Sequence, residues 1–365
     1  MSTDPRSAAD LPITRNAALD AARGILMMLG VVLHTANIYS TDGGWLVWDR
    51  ERNAFFDVLI EAIHAFRMPA FFWISGYFCA LTFERNGARG LMHKRLPRLL
   101  IPLLATWLTL NIAQELFMAW MQGKSALAAI SDGVPLYHLW FLVDLMVYIS
   151  VAALILPVMT RFTRFGHSIG GTSLTLMFLL LAAFSVVVTI AARATGVAYE
   201  NVLGLTSLFR LATYAPFFAV GIYMYWHAKA RNTFLHTPLI LGLAALPLAV
   251  YANSWTRGQG FVVGEIALFC EQLMIWICVA VVLRLFHDLV RRDHAVTRFL
   301  SDIAYSVYLF HHILVAILGI ALADMALGAW PKFLIVSSIG LAVPILVHVT
   351  MIRRSRLARL LFNGK

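Results

Sequence analysis

Long apolar stretches separated by short polar segments run along the chain from residue 17 to residue 352. A stretch of about 20 mostly apolar residues is long enough to cross a bilayer as a helix. Ten such stretches are predicted, at approximately residues 17–39, 53–81, 99–121, 136–160, 172–192, 210–227, 237–255, 260–283, 302–323 and 332–352. No long soluble insert separates them. We therefore expect one all-α integral membrane domain over residues 1–365, folded as a ten-helix transmembrane bundle.

The composition excludes a soluble globular protein. Hydrophobic residues make up 60% of the 365 residues and charged residues only 13%, whereas an ordinary soluble domain has about 25% charged residues. The segment before Asn16 is polar and lacks the basic and apolar regions of a cleaved signal peptide. We expect the first apolar stretch to direct membrane insertion.

The net charge of +10 follows from topology and needs no nucleic-acid partner. If the N-terminus is cytoplasmic, 20 Lys and Arg residues fall in cytoplasmic segments and five in outer segments. The five are Arg50, Arg52, Lys124, Arg257 and Lys332. Because basic residues concentrate on the cytoplasmic side of membrane proteins, we expect both termini to be cytoplasmic.

Two ionisable residues share one face of the first predicted helix. Arg23 and His34 are eleven residues apart, which places them roughly 20° out of register and about 16 Å apart along the axis. Charged and polar groups inside a bilayer are costly, so each is a candidate functional residue. The alternatives are that Arg23 extends to the inner interface and that His34 bonds a neighbouring helix. Gly24 and Gly30 would let another helix approach closely.

Further polar residues fall at a similar depth in other stretches. The second stretch carries Asp57, Glu61 and His64 toward the outside and Ser75 toward the inside. Later stretches contain Glu115, Asp144, Glu265, Glu271, His311 and His312. So many ionisable groups predict a polar cavity within the bundle. No His and Cys cluster has metal-ligand spacing, so no metal site is expected.

A basic segment between the second and third stretches predicts an anion site. Residues 84–102 are expected to form a cytoplasmic loop that ends with Arg95 and Arg98 at the start of a helix. Two guanidinium groups one turn apart at a helix N-terminus suit a phosphate. The alternative is that this loop only sets the topology.

Five motifs together resemble the membrane-bound acyltransferase-3 family. They are Arg23-x10-His34, FRMPAFFWISGY at residues 66–77, Arg95-x-x-Arg98, LWFL at residues 139–142 and YSVYLFHH at residues 305–312. Each motif is weak alone, but their order and topology match over essentially the whole chain. Many members have His-Met-Pro where this chain has Arg67-Met68-Pro69. In this difference the chain resembles a glucan-modifying branch of the family.

The resemblance implies transfer of an acyl group from cytoplasmic acyl-CoA to a hydroxyl of a periplasmic glucan, across a bacterial inner membrane. Likeness to the glucan branch favours succinyl-CoA as the co-substrate, with no permanently bound cofactor. An imidazole, with an unperturbed pKa of about 6.5, suits this task as general base or as acyl carrier. The candidate catalytic residues are His34, Arg23 and Glu61. The acyl-CoA site would consist of Arg95, Arg98 and Ser75. The substrate cavity would be lined by His64, Arg67, Asp144 and His311.

Other functions remain open at this point. The protein would also suit O-acetylation of another envelope polysaccharide, transport of a glycan or lipid, or assembly of a membrane complex. Arg67 would either pair with the terminal carboxylate of a succinyl group or pair internally with Glu61 or Asp144. Consumption of acyl-CoA by the purified protein in the presence of glucan separates an acyltransferase from a transporter or assembly factor. A comparison of succinyl-CoA with acetyl-CoA then identifies the acyl group.

Overall fold

The computed structural model describes residues 16–42, 45–131, 133–163, 173–255 and 260–364. The segment before Asn16 that bears on the signal-peptide prediction lies outside these residues. So do five basic residues used in the topology prediction. They are Arg6, Arg15, Arg164, Arg257 and Lys365.

The described chain is almost entirely helical. The long helices are α1 (Ala17–Ile38), α2 (Ala54–His64), α3 (Arg67–Thr106), α4 (Ile112–Met121), α6 (Trp140–Thr163), α7 (Leu174–Ala194), α8 (Leu208–Trp226), α10 (Leu239–Trp255), α11 (Phe261–Leu289), α12 (Ala295–Ala323) and α13 (Ala329–Val347). The short helices are α5 (Ala126–Ser131), α9 (Ala228–Leu235) and α14 (Arg356–Asn363). Two π-helical turns, Trp107–Asn111 and His348–Ile352, and a 3₁₀ turn, Tyr137–Leu139, extend neighbouring helices. Two short antiparallel strands, β1 (Asn201–Val202) and β2 (Thr206–Ser207), precede α8.

Seven helical runs among the described residues are long and apolar enough to cross a membrane. An eighth candidate is the pair α9 and α10, which are bent by 75° at their junction. One of the seven, Ala54–Met121, has 68 residues and contains the predicted stretches 53–81 and 99–121. The helix α8, at the predicted stretch 210–227, is not among the seven. The molecule is thus an all-α, multi-pass membrane protein, as predicted.

The segment predicted as a cytoplasmic loop at residues 84–102 is helical, and this prediction is wrong. It belongs to α3, which is kinked at Gly87, where φ is +64° and ψ is −176°. Arg95 and Arg98 lie inside the helix beyond the kink and not at a helix N-terminus. Their backbone N–H groups bond along the helix, so any anion contact must come from the two guanidinium groups.

The helices α3 and α8 pack against each other through paired glycines. A Cβ atom at Gly76 of α3 would lie 2.0 Å from the carbonyl oxygen of Phe218. A Cβ atom at Gly221 of α8 would likewise lie 2.0 Å from the carbonyl oxygen of Trp73. Only glycine permits this backbone approach, as in other tightly packed membrane helices.

The helix α1 lies at the centre of the bundle, where it contacts α2, α3, α11, α12 and α13. Gly24 fulfils its predicted role, since a Cβ atom there would lie 3.0 Å from the Leu300 carbonyl oxygen of α12. This central position brings the polar face of α1 against the two cavities described next.

Candidate active site

Two adjoining cavities lie along the polar face of α1. The first, about 200 Å³ in volume, is lined by Arg23 and is called the arginine cavity. The second, about 220 Å³, is lined by His34 and is called the histidine cavity. The two share the lining residues Met27, Phe71 and Phe141, which form the boundary between them.

The arginine cavity collects three guanidinium groups and no carboxylate among its lining residues. Its polar lining includes Arg23, Arg95, Arg98, Ser75, Ser301, Tyr305 and Asn363. Planar guanidinium groups bind phosphate oxygens in two-point contacts. The predicted acyl-CoA residues Arg95, Arg98 and Ser75 therefore meet at one cavity, together with Arg23.

Hydrogen bonds to the protein fix two of these arginines. Arg95 donates from Nε and Nη2 to the Thr82 hydroxyl, at 3.1 and 2.8 Å, and from Nη2 to the Phe78 carbonyl at 3.1 Å. Arg23 donates from Nη2 to Asp20 at 3.2 Å and to the Ser301 hydroxyl at 3.1 Å. Both guanidinium groups are thereby held in place before any ligand binds.

The C-terminal end of the described chain completes the wall beside Arg98. Gly364 ends α14 in the left-handed conformation, with φ of +64°, and packs against the Arg98 backbone. A Cβ atom at Gly364 would lie 2.5 Å from the Arg98 carbonyl oxygen, so this contact needs glycine. The Arg98 side chain itself is exposed.

Four histidine rings cluster at the histidine cavity. The His34 ring centroid lies 5.4 Å from that of His311 and 5.2 Å from that of His312. His138 stacks on His312 at 4.7 Å and lies 5.2 Å from His311. His64 also lines the cavity, and its side chain is exposed at the end of α2. Among the described residues, no group of His, Cys, Asp or Glu has an arrangement that holds a metal ion.

Several buried polar atoms around this cavity have no hydrogen-bond partner among the described residues. They are His34 Nδ1, Arg67 Nε, both ring nitrogens of His138 and His311 Nε2. More than nine in ten buried polar groups in proteins are paired, so a cluster of exceptions requires an explanation. A polar substrate that occupies the cavity would supply the missing partners.

Arg67 enters the cavity beside a glycine of α1. A Cβ atom at Gly30 would lie 3.0 Å from Arg67 Nη1 and 3.8 Å from His311 Nε2. Gly30 therefore makes room for the guanidinium group of Arg67, not for the close helix approach that we predicted. Within the described part of the chain, Arg67 forms no ion pair.

Neither carboxylate predicted to pair with Arg67 lies at the cavity. Asp144 is buried and binds Arg210, at 2.9 Å, and the Thr206 hydroxyl, at 2.7 Å. Glu61 lines a separate groove between α2 and α10, with Asp57. The structure therefore does not bring Asp144 or Glu61 together with His34 and Arg67. Arg210 of α8 and Thr206 of β2 bind Asp144, and Glu61 lies on the face of α2 that is turned toward α10.

Two contributors to the cavity, His138 and Trp45, were not predicted from the sequence. His138 is 7% exposed and lies in the 3₁₀ turn directly before the LWFL motif, which was the available signal. Trp45 stacks on His34 with centroids 5.6 Å apart, but it comes from a short loop that no periodicity marks.

A buried ion pair, Lys332 to Asp49 at 2.8 Å, anchors the loop that carries Trp45 to α13. Lys332, predicted as an outer-loop residue, thus lies inside a helix.

Comparison with known proteins identifies the class. The family model for an acyltransferase domain, acyltransferase-3, matches residues 16–349, and the chain belongs to this family. It is 27% identical over 380 residues to Glucans biosynthesis protein C of Escherichia coli K12 / DH10B, covering 97% of this chain and 96% of that protein. The same identity and coverage hold for the protein of that name from Escherichia coli O9:H4. No solved structure matches the chain. The protein is a membrane acyltransferase.

Proposed function

We propose that this protein transfers an acyl group from cytoplasmic acyl-CoA to a hydroxyl group of a periplasmic glucan. The observation that carries the proposal is the pair of adjoining cavities on α1, one lined by arginines and the other by histidines. The similarity to Glucans biosynthesis protein C supports a glucan as the acceptor.

The donor site of this proposal is the arginine cavity. Guanidinium groups already oriented by Thr82, Phe78 and Ser301 favour the phosphates of CoA without further ordering. The phosphates bind at the mouth beside exposed Arg98, and the pantetheine arm extends past Met27 toward the histidines. A thioester delivered this way reaches the boundary of the histidine cavity, where the reaction takes place.

His34 is the residue that carries out acyl transfer in this proposal. It lies on the same face of α1 as Arg23 and lines the cavity that receives the thioester. As a general base it takes the proton of the sugar hydroxyl; as an acyl carrier it forms a transient acyl-imidazole. Either role requires an imidazole at this position.

The acyl group of the proposed reaction is succinyl. A guanidinium group in a bilayer interior is costly unless an anion accompanies it, and Arg67 has no carboxylate partner among the described residues. The terminal carboxylate of succinate supplies that partner in a two-point contact. A neutral acetyl group does not.

The topology of the proposed reaction places the arginine cavity on the cytoplasmic side of a bacterial inner membrane. Both termini are then cytoplasmic, in a ten-span bundle that forms a single domain. The distribution of Lys and Arg between the predicted segments supports this orientation. The donor and the acceptor then approach from opposite sides.

The test is release of free CoA by the purified protein in detergent, with succinyl-CoA or acetyl-CoA, in the presence and absence of glucan. We expect glucan-dependent CoA release and ester formation on the glucan, faster with succinyl-CoA. Preference for acetyl-CoA would overturn the assignment of succinate. Absence of thioester consumption with both donors would overturn the acyltransferase mechanism.

A further inference from the structure

His311 enters the histidine cavity with its tautomer fixed by the backbone. Its Nδ1 lies 2.8 Å from the carbonyl oxygen of Tyr308 and 3.0 Å from that of Val307. A carbonyl oxygen only accepts hydrogen bonds, so Nδ1 carries the proton and donates it. In the neutral ring, Nε2 then holds a lone pair.

The lone pair on His311 Nε2 faces the cavity without a partner. His311 is 1% exposed, and its Nε2 atom is buried with no hydrogen-bond donor among the described residues. The missing group must be a donor, because the fixed tautomer makes Nε2 an acceptor. A sugar hydroxyl is such a donor, whereas a carboxylate is not.

Arg67 lies where it can bind the oxygen of the same hydroxyl. Its Nη1 atom lies 3.0 Å and His311 Nε2 lies 3.8 Å from the Cβ position at Gly30, so the two nitrogens are close neighbours beside this glycine, and both residues line the histidine cavity. A hydroxyl between them donates its hydrogen to His311 and accepts from Arg67. The remaining N–H groups of the guanidinium stay available for the acyl carboxylate.

His34 differs from His311 in this respect. His34 is only half-buried. Its Nδ1 atom has no hydrogen-bond partner among the described residues, so it lacks the backbone contact that fixes the tautomer of His311. The two ring centroids are 5.4 Å apart, a separation that leaves both rings in reach of one reacting centre.

We propose that His311 is the general base that removes the proton from the acceptor hydroxyl, which separates this role from the handling of the acyl group by His34. The inference rests on the proposed function and deepens it. His34 is then the acyl carrier. In the first step the unprotonated ring nitrogen of His34 forms a bond to the acyl carbonyl carbon, and the bond from that carbon to sulfur breaks. The sulfur leaves with the electron pair, and the thiolate takes the proton of the other His34 ring nitrogen.

In the second step the hydroxyl oxygen forms a bond to the acyl carbon as its proton moves to His311 Nε2. The bond between the acyl carbon and the His34 ring nitrogen breaks, and the His34 ring takes that proton from His311. Both histidines end the cycle neutral. The base function of His311 is needed only when the acceptor must lose a proton as it attacks.

The experiment compares two acceptors with the full-length protein and succinyl-CoA. Glucan hydroxyls require a general base, whereas hydroxylamine attacks a thioester as a neutral nucleophile. We expect His311→Gln, which keeps a polar group of similar length, to slow transfer to glucan about 10²- to 10⁴-fold. Enzyme-dependent formation of the hydroxamate should change by less than about tenfold in the same variant.

The matched comparison is His312→Gln, which alters the neighbouring buried histidine on α12. His312 uses Nδ1 to bond the Gln114 side chain at 2.9 Å, so we expect this change to affect both acceptors equally. Equal losses with glucan and hydroxylamine in His311→Gln would assign His311 a structural role and overturn the inference, as would unchanged transfer to glucan. If the unaltered protein transfers to neither acceptor, the proposed function itself fails.

Discussion

The arginine and histidine cavities differ in how their polar atoms are satisfied. In the arginine cavity, Arg23 and Arg95 donate to neighbouring hydroxyl, carbonyl and carboxylate groups of the protein. In the histidine cavity, atoms of His34, Arg67 and His311 are buried with no partner among the described residues. The first cavity holds positively charged guanidinium groups in fixed positions, which suits the binding of a phosphate group. The second is incomplete until it holds substrate.

The incomplete cavity carries a cost that the surrounding structure must offset. Each buried polar atom without a partner destabilises the folded state by about 1–3 kcal/mol. Local violations of this kind are expected at functional sites, where reactive groups must remain available. The anchored loop next to the cavity, with its ion pair between Asp49 and Lys332, is one element that holds the unpaired rings in place.

The largest expected effect comes from removing the imidazole of His34. His34→Ala should lower the rate of glucan acylation about 10²- to 10⁴-fold, because the group that exchanges a proton or the acyl group is lost. The measurement is CoA release and ester formation by purified, membrane-extracted protein. The control is His93→Ala, which removes an exposed imidazole from α3. Near-normal acylation by folded His34→Ala protein would contradict the proposed mechanism.

The next effect concerns stability at the histidine end of the molecule. Lys332→Met should lower the free energy of unfolding by about 3–5 kcal/mol, because Asp49 would remain as a buried charge without its partner. Lys332 and Asp49 are 1% and 0% exposed, so solvent cannot replace the lost contact. The measurement is thermal unfolding in detergent, followed by helical circular dichroism.

A second variant tests the cause of that loss. Replacing both members of the pair, with Lys332→Met and Asp49→Leu, removes the uncompensated charge and should recover much of the lost stability. If the double variant is no more stable than Lys332→Met alone, the loop does not depend on the ion pair. The single-variant loss would then reflect packing of the lysine stem within α13.

The regular part of the fold was predictable, but the turns and kinks that shape the site were not. Apolar length and helical spacing predict the helices and the shared face of Arg23 and His34, because both depend on neighbours along the chain. The position of Trp45 depends on a contact with His34 of α1, and the kink in α3 comes from the positive φ of Gly87, which has open space beside it. A sequence with no periodic pattern at these points therefore led us to predict a loop where α3 continues.

The placement of acidic residues shows the same limit. Spacing along α2 predicts that Glu61 and His64 share a face, yet only His64 lines the histidine cavity. Asp144 is held by Arg210, whose guanidinium also lies over the Trp140 ring at 4.7 Å. Hydrophobic patterning indicates depth in the membrane, but the choice of partner depends on how helices rotate against each other.

The arginine cavity can be tested by removing its charge. The double variant Arg95→Ala with Arg98→Ala should weaken acyl-CoA binding by roughly 2–4 kcal/mol, since a good charge-assisted contact is worth about 1.5–3 kcal/mol and exposed Arg98 contributes less. Binding is measured by titration of CoA against the detergent-solubilised protein.

The matched control for this loss is Arg85→Ala with Arg89→Ala. These two arginines lie on the same helix, are exposed and do not line the arginine cavity. The control removes the same net charge, so we expect CoA affinity to change little. An equal loss in both double variants would show that overall charge, and not a defined site, attracts the nucleotide.

The smallest effect is a change of preference between acyl donors. Arg67→Met should reduce succinyl transfer roughly 10- to 100-fold more than acetyl transfer, because only the succinyl group loses a charged partner in a site of low dielectric. Arg67→Lys keeps the charge but loses the planar two-point contact, so its preference should fall between those of the other two proteins. The measurement is the ratio of rates with succinyl-CoA and acetyl-CoA at matched glucan concentration. An equal loss with both donors would contradict recognition of the carboxylate and leave Arg67 acting on the acceptor hydroxyl alone, beside His311.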